Sequence, residues 1–137
     1  MASKDATRYV RYAVIDALKT LAIEGFGDKW FPQQIPANQN YPYGFVGVPI
    51  MTLEQIQCMS ASTIRFAIHA YTVGETAANK ISERLVELDG ASIDLANVGC
   101  PFPAYVDLTF VNATPVRDSA ESTIFHLICN MVAEVNA

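Results

Sequence analysis

The chain has 137 residues, of which 51% are hydrophobic and 17% charged, and 9 basic against 14 acidic side chains leave a formal net charge of −5. That length suits a single domain over residues 1–137 and is enough to bury roughly 68–70% of the unfolded surface without staples. No Lys/Arg cluster exists to neutralise phosphates, and no uncharged apolar run approaches roughly 18 residues, so a nucleic-acid grip and a membrane span are both excluded as expectations.

From Asp5 to about Ile23, Val10, Val14, Leu18 and Leu21 recur at helical spacing with Ala13 and Ala17 beside them, which predicts a helix. Gly25 and Gly27 in "EGFGDKW" are expected to end it. "WFPQQIPANQNYP" carries three prolines with no periodicity and reads as a long loop, with Tyr41 and Tyr43 near its end. Those two tyrosines suit either interface anchors or a cap on the core. "GFVGVPIM" alternates as a strand, and Pro49, which cannot donate to a ladder, makes it an edge strand or a bulged one. "TLEQIQCMSAS" either extends that strand or turns through Ser60 to Ser62.

Ile64, Phe66, Ile68 and Ala70 alternate with Arg65, Ala67, His69 and Tyr71, the period of a half-buried strand. Thr72-Val73-Gly74-Glu75 has capping-box spacing, and the helix it should open carries Ile81, Leu85 and Leu88 on one stripe. Lys80–Glu83 and Arg84–Glu87 are favourable i,i+3 pairs, and Gly90 stands where a helix-ending glycine belongs. "ASIDLANVGCPFP" reads as loop, "AYVDLTFV" as a strand and "NATPVRDSAES" as a polar connection. In "TIFHLICNMVAEV", Phe125, Leu127, Cys129, Met131 and Ala133 share one face. The other face, with Ile124, His126, Ile128, Asn130 and Val132, is half apolar too, and a strand apolar on both sides is usually covered on both. The order helix, two strands, helix, two strands predicts an α+β fold: one mainly antiparallel four-stranded sheet with two helices packed on one face.

Typical soluble domains are about 25% charged. The deficit here favours a chain whose surplus apolar surface is sealed by other copies. Cys58, Cys100 and Cys129 are odd in number and far apart, as expected of reduced thiols in a cytosol-like compartment. "MASKDATRYV" has no apolar core of a leader, so no signal peptide is expected, and the "NAT" at Asn112 is followed by Pro115 and read as chance. His69 and His126 are the only histidines; a paired site is conceivable, but two imidazoles without a third ligand make a poor metal site. Ser60, His69 and Asp107 could be drawn as a triad, with no nucleophile elbow to support it. No catalytic residue, cofactor or metal is therefore expected.

"RFAIHAYTVGETAANKISERLVELDG" resembles the middle of the tail-completion, or tail-terminator, proteins of long-tailed bacteriophages and related gene-transfer particles. In that family an N-terminal helix, here "YAVIDALKTL", leads through a proline-containing segment, here "WFPQQIPANQNYPYGFVG", to an aromatic-rich strand. A strand, a helix and a closing Leu-Asp-Gly follow, as at Leu88 to Gly90, and the last two strands flank a polar loop with Arg-Asp, as in Arg117-Asp118. The resemblance covers nearly the whole chain and departs from the pattern in longer loops at Pro32 to Asn40 and Ala91 to Pro103. It implies a virion protein, assembled in the host cytoplasm, that forms a hexameric ring on the tail tube at the head–tail junction. Such a ring ends tube polymerisation and docks the head–neck connector, and DNA passes through its hole unbound. Interface candidates are Tyr41, Tyr43, Arg117 and Asp118. The alternatives are a different head–tail connector of the virion, or a small ligand-binding or enzymatic domain with a pocket around His69 or His126.

Overall fold

A computed structural model describes residues 6–32, 35–37, 39–47, 50–56, 59–117, 119 and 123–136, with the side chains of 50–56 and 59–62 excepted. Helix α1 spans Thr7–Leu21 and buries Val10, Val14 and Leu18 completely, as the apolar stripe requires. It ends earlier than the glycines: Ala22 takes the left-handed conformation (φ 52°) and returns its N–H to the Lys19 carbonyl at 3.1 Å. Helix α2 spans Glu75–Leu85 and buries Ala78, Ile81 and Leu85. Fully burying Leu18 or Leu85 is worth roughly 1.5–3 kcal/mol each.

The expected capping box does not form. Thr72 is still inside a strand and buried, so the chain enters α2 through Gly74, whose φ of 94° only glycine adopts cheaply. Its N–H bonds the Thr123 carbonyl at 2.8 Å, tying the helix start to the last strand. After α2 the Arg84 guanidinium meets the Glu87 carboxylate at 2.6 Å, the i,i+3 pair the spacing predicts.

The expectation of a four-stranded, mainly antiparallel sheet is overturned. The strands are β1 (Trp30–Phe31), β2 (Tyr43–Val46), β3 (Ile50–Ile56), β4 (Met59–Val73), β5 (Ser92–Asp94), β6 (Tyr105–Arg117) and β7 (Ile124–Asn136). Six lie side by side in the order β1-β2-β4-β7-β6-β5, and β3 shares the outer edge of β4 with β2. The sheet is curled, and it is mixed because β1 runs parallel to β2. The differences have identifiable causes. β1 and β5 have two and three residues, too few to show a period, and exist because loop backbone meets a strand edge. The single strand expected in "GFVGVPIM" divides in two. Three residues separate Val46 from Ile50 but only two separate their partners Ile68 and Arg65, so the register slips by one. Pro49, to which a bulge was ascribed, lies outside the described residues, as does Val48. Ser60 to Ser62 lie within β4 rather than in a turn, and β6 runs on through Pro115 to Arg117, where a polar connection was expected.

The core lies between both helices and one face of this sheet. Ile64, Phe66, Ile68 and Ala70 of β4 sit opposite Ala133, Met131, Cys129 and Leu127 of β7, and Leu108 of β6 continues the row from Ala133; all are buried. Cys129 is wholly enclosed and burial pushes its thiol up to about 12, as for an inert core side chain. Cys58 is outside the described residues.

Candidate interaction surface

Strand alternation sends every second side chain of β2, β4, β7 and β6 to the face away from the helices. Register then aligns them in rows. Tyr43, Tyr71, His126 and Val116 form one row across four strands; Phe45, His69, Ile128 and Thr114 form the next. Nothing in the chain's own helical layer covers these rows, because both helices pack on the other side.

The rings lie flat against one another. Tyr41 stacks on Tyr43 with centroids 5.4 Å apart, Tyr43 on Tyr71 at 5.2 Å, and Tyr71 on His126 at 4.3 Å with planes within 14°. Phe45 lies on His69 at 4.5 Å with planes 6° apart. Each such pair contributes about 0.5–1.5 kcal/mol beyond area burial, so the stripe is ordered before any partner arrives. Tyr41, Val73 and Val116 at its margins are 40%, 53% and 45% exposed, while the rings between them are half-buried against one another, so the stripe is a partly accessible apolar patch.

Gly44 lets this surface exist. It sits on β2 opposite Ala70, and the Trp30 ring lies directly over it. Trp30 is 2% exposed and stacks on Phe26 at 4.3 Å, so β1, β2 and the turn that follows α1 are clamped together and Tyr43 and Phe45 are held at the open face.

At the centre of the stripe, Nδ1 of His69 and Nε2 of His126 are 2.7 Å apart. Desolvation by burial, and then the charge of His126, hold the His69 imidazole below its ordinary pKa. The two histidines thus share one face and one hydrogen bond. Asp107, the third member of a conceivable triad, is paired with Asn136 at 3.1 Å, and its β7 neighbour Glu134 is six residues, about 20 Å, from the His69 row. The Ser60 side chain is outside the described set. Among the described residues no group of three or more His, Cys, Asp or Glu stands together to hold a metal, and no helix is long and apolar enough to cross a membrane.

The sheet margin at β6 is closed to pairing. Leu108 exchanges backbone bonds with Gly90 and Ala91, and the Phe110 N–H bonds the Asp89 carboxylate at 2.9 Å, so these positions face away from β7. After the register shift between Phe110 and Asn112, alternation turns Ala113, Pro115 and Arg117 outward. Pro115 therefore places its missing N–H on the free edge, a common means of blunting edge-to-edge association.

Of the residues singled out from sequence, Tyr41 and Tyr43 belong to the stripe. Arg117 does not: it lies beside Phe125 on the helix-side face, its guanidinium 5.6 Å from that ring. Asp118 is outside the described residues. Phe45, His69, Tyr71, His126 and Ile128 were not proposed as contacts, although the two-faced apolar pattern of the last strand was the available signal. A groove of about 810 Å³ between the end of α1 and the start of α2 borders the stripe at Pro42 and Val73. Glu24, Glu75 and Glu83 line it together with Lys80 and Arg84, a mixture that selects no ligand charge.

The architecture is a small α+β fold with one curled mixed sheet and both helices on a single side. A chain of the "Virion of native gene transfer agent (GTA) particle" has a similar fold, with a TM-score of 0.64 over 96% of this chain and 93% of that one, at 18% sequence identity. No protein-family model and no curated protein sequence matches the chain.

Proposed function

We propose that the chain is a structural protein of a phage-like virion, and specifically the ring that caps the tail tube, ends its polymerisation and joins it to the head–neck connector. The observation that carries this reading is the aromatic stripe of Tyr41, Tyr43, Phe45, His69, Tyr71 and His126 on the face away from both helices: an ordered row of half-buried rings with exposed apolar margins, of the kind that marks an interaction surface. The likeness over almost the full length of both chains to a gene transfer agent particle component supports it. Copies arranged head to tail around an axis would seal the stripe, and closure would leave no surplus face for fibres. Because Pro115 blunts the β6 margin, contact between copies runs through the face rather than through a continuous sheet at that edge. The protein works in this reading by shape and burial, as a non-enzymatic part, with DNA passing through the lumen past a chain of net charge −5.

Removing the gene separates the outcomes. Loss of a tube cap yields overlong tubes and unjoined heads. Tails of normal length that fail to join heads identify a head-side connector instead. Imaging of intact particles that finds the chain as a single copy, or away from the junction, overturns the proposal.

A further inference from the structure

The shortest strand of the sheet is β1, in which Trp30 pairs with Gly44 and Phe31 with Phe45. Both pairs are parallel, the slightly weaker kind per residue, and among the described residues β1 has the β2 edge on one side and no strand on the other. A segment with so little ladder needs a side-chain anchor, and the indole of Trp30 supplies it. The ring is buried, lies across Gly44 and stacks on Phe26 with planes 3° apart. Beside it the Gly44 N–H bonds the Lys29 carbonyl at 3.0 Å, and the Lys29 ammonium reaches the Asn40 carbonyl at 3.1 Å.

The anchor is flawed. Burial takes the indole Nε1–H out of solvent, and among the described residues no acceptor meets it. Stacking and apolar burial draw the ring in, while the donor gains a bond to water when the ring comes out. A buried donor left without an acceptor shifts such a balance towards the open state by a factor of roughly 5 to 150. The conflict is local to β1. At the sheet centre β4 and β7 pair over thirteen residues, and β2 has its own pairing with β4 from Tyr43 to Val46.

We infer that Lys29 to Phe31 form a releasable strap, which covers the outer edge of β2 and opens, driven by its unbonded indole donor, without the rest of the sheet unfolding. Closed, it seals the β2 edge beside the aromatic stripe and keeps the indole on Gly44. Open, it bares the backbone of Gly44 and Phe45 and the face of the Phe26 ring. The fold thus covers one of its own strand edges with a segment that can leave, which is one way to keep such an edge from pairing at random. The strap does not rest on the ring reading above. Its reporter is built in: the Gly44 N–H is spent on Lys29 and not on β4, so its exchange with solvent follows the strap and not the β2–β4 ladder.

The test is hydrogen exchange on the full chain, followed by ¹⁵N-resolved resonances; Trp30 is the only tryptophan and gives a single indole signal. The Gly44 N–H and the indole N–H should exchange together, at least about tenfold faster than the Ala70 and Leu127 amides of the β4–β7 ladder. Benzothienylalanine in place of Trp30 has sulfur where the indole has its N–H, so it keeps the shape and the stack and loses the donor. That isostere should slow Gly44 exchange by roughly fivefold or more and leave Ala70 and Leu127 unchanged. Gly44 and indole protons that exchange no faster than the ladder amides would overturn the inference. So would an isostere whose Gly44 exchange is as fast as the parent's, because the donor is then bonded in the closed state. Should the isostere not fold, the comparison within the parent chain decides alone.

Discussion

Replacing Gly44 by alanine should cost more than the same change at the chain's other glycines, because its new β-carbon meets the closest neighbours. The new β-carbon would lie 2.6 Å from the His69 carbonyl oxygen and 2.7 Å from Cε3 of Trp30, and closer still to Cζ3 of the same ring. Neither neighbour can yield. The oxygen belongs to the β4 backbone in the β2–β4 ladder, and the indole is 2% exposed and stacked on Phe26 with planes 3° apart. Either β2 moves off β4 or Trp30 leaves its clamp. Overpacking of this kind costs about 1–3 kcal/mol, and two immovable contacts place the cost near the upper end, about 3 kcal/mol. For a domain of this size that is a fall in Tm of roughly 10 °C. Urea unfolding followed by fluorescence is the suitable assay, because Trp30 is the only tryptophan and reports the site itself. Trp30→Leu in the same background, followed by far-UV circular dichroism because it lacks the fluorophore, should recover part of the loss, as expected for neighbours that couple. A Gly44→Ala chain with unchanged midpoint and unchanged native emission would refute the close approach and the clamp derived from it.

Cys129 should resist alkylation in the folded chain while the partly exposed Cys100 reacts, because burial both excludes the reagent and keeps the Cys129 thiol protonated; peptide mass mapping reads this, and labelled native Cys129 would contradict it. Asp89→Ala removes the acceptor of the Phe110 N–H and should lower stability by about 1 kcal/mol, with faster hydrogen exchange at Phe110; exchange as slow as in the parent chain would contradict the contact. Stability should also depend on His69. Its folded pKa is below the unfolded value, so the unfolded chain binds more protons as pH falls below about 6.5. The contribution is present above that pH and is lost as pH falls through the folded value; urea midpoints at several pH values should show the decline in the parent chain and a shallower one in His69→Gln.

Local pattern alone was enough for the elements that periodicity can register. Both helices lie where their apolar stripes predicted, and the alternation at Ile64 to Ala70 and at Phe125 to Ala133 became the two central strands with those residues buried. The half-apolar second face of the last strand, read as one that is usually covered, was legible because a strand's two faces are written separately in its odd and even positions; the structure puts that face on the side away from both helices. What the sequence by itself could not determine was everything made by contact across the chain. The two-residue strand at Trp30 depends on Gly44, fourteen positions away, having no side chain, and β5 depends on β6 offering an edge. The capping box at Thr72 lost to burial of that threonine in β4, and Arg117 went to the opposite side of the sheet from the tyrosines with which it was grouped. Most consequential is register. Tyr71 lies opposite His126 and His69 opposite Ile128, which brings two histidines 57 residues apart to within 2.7 Å, and only the pairing of β4 with β7 decides that. A slip of one residue between these strands would turn one of the imidazoles into the core, so the stripe and its histidine pair are properties of the folded sheet and of no local segment.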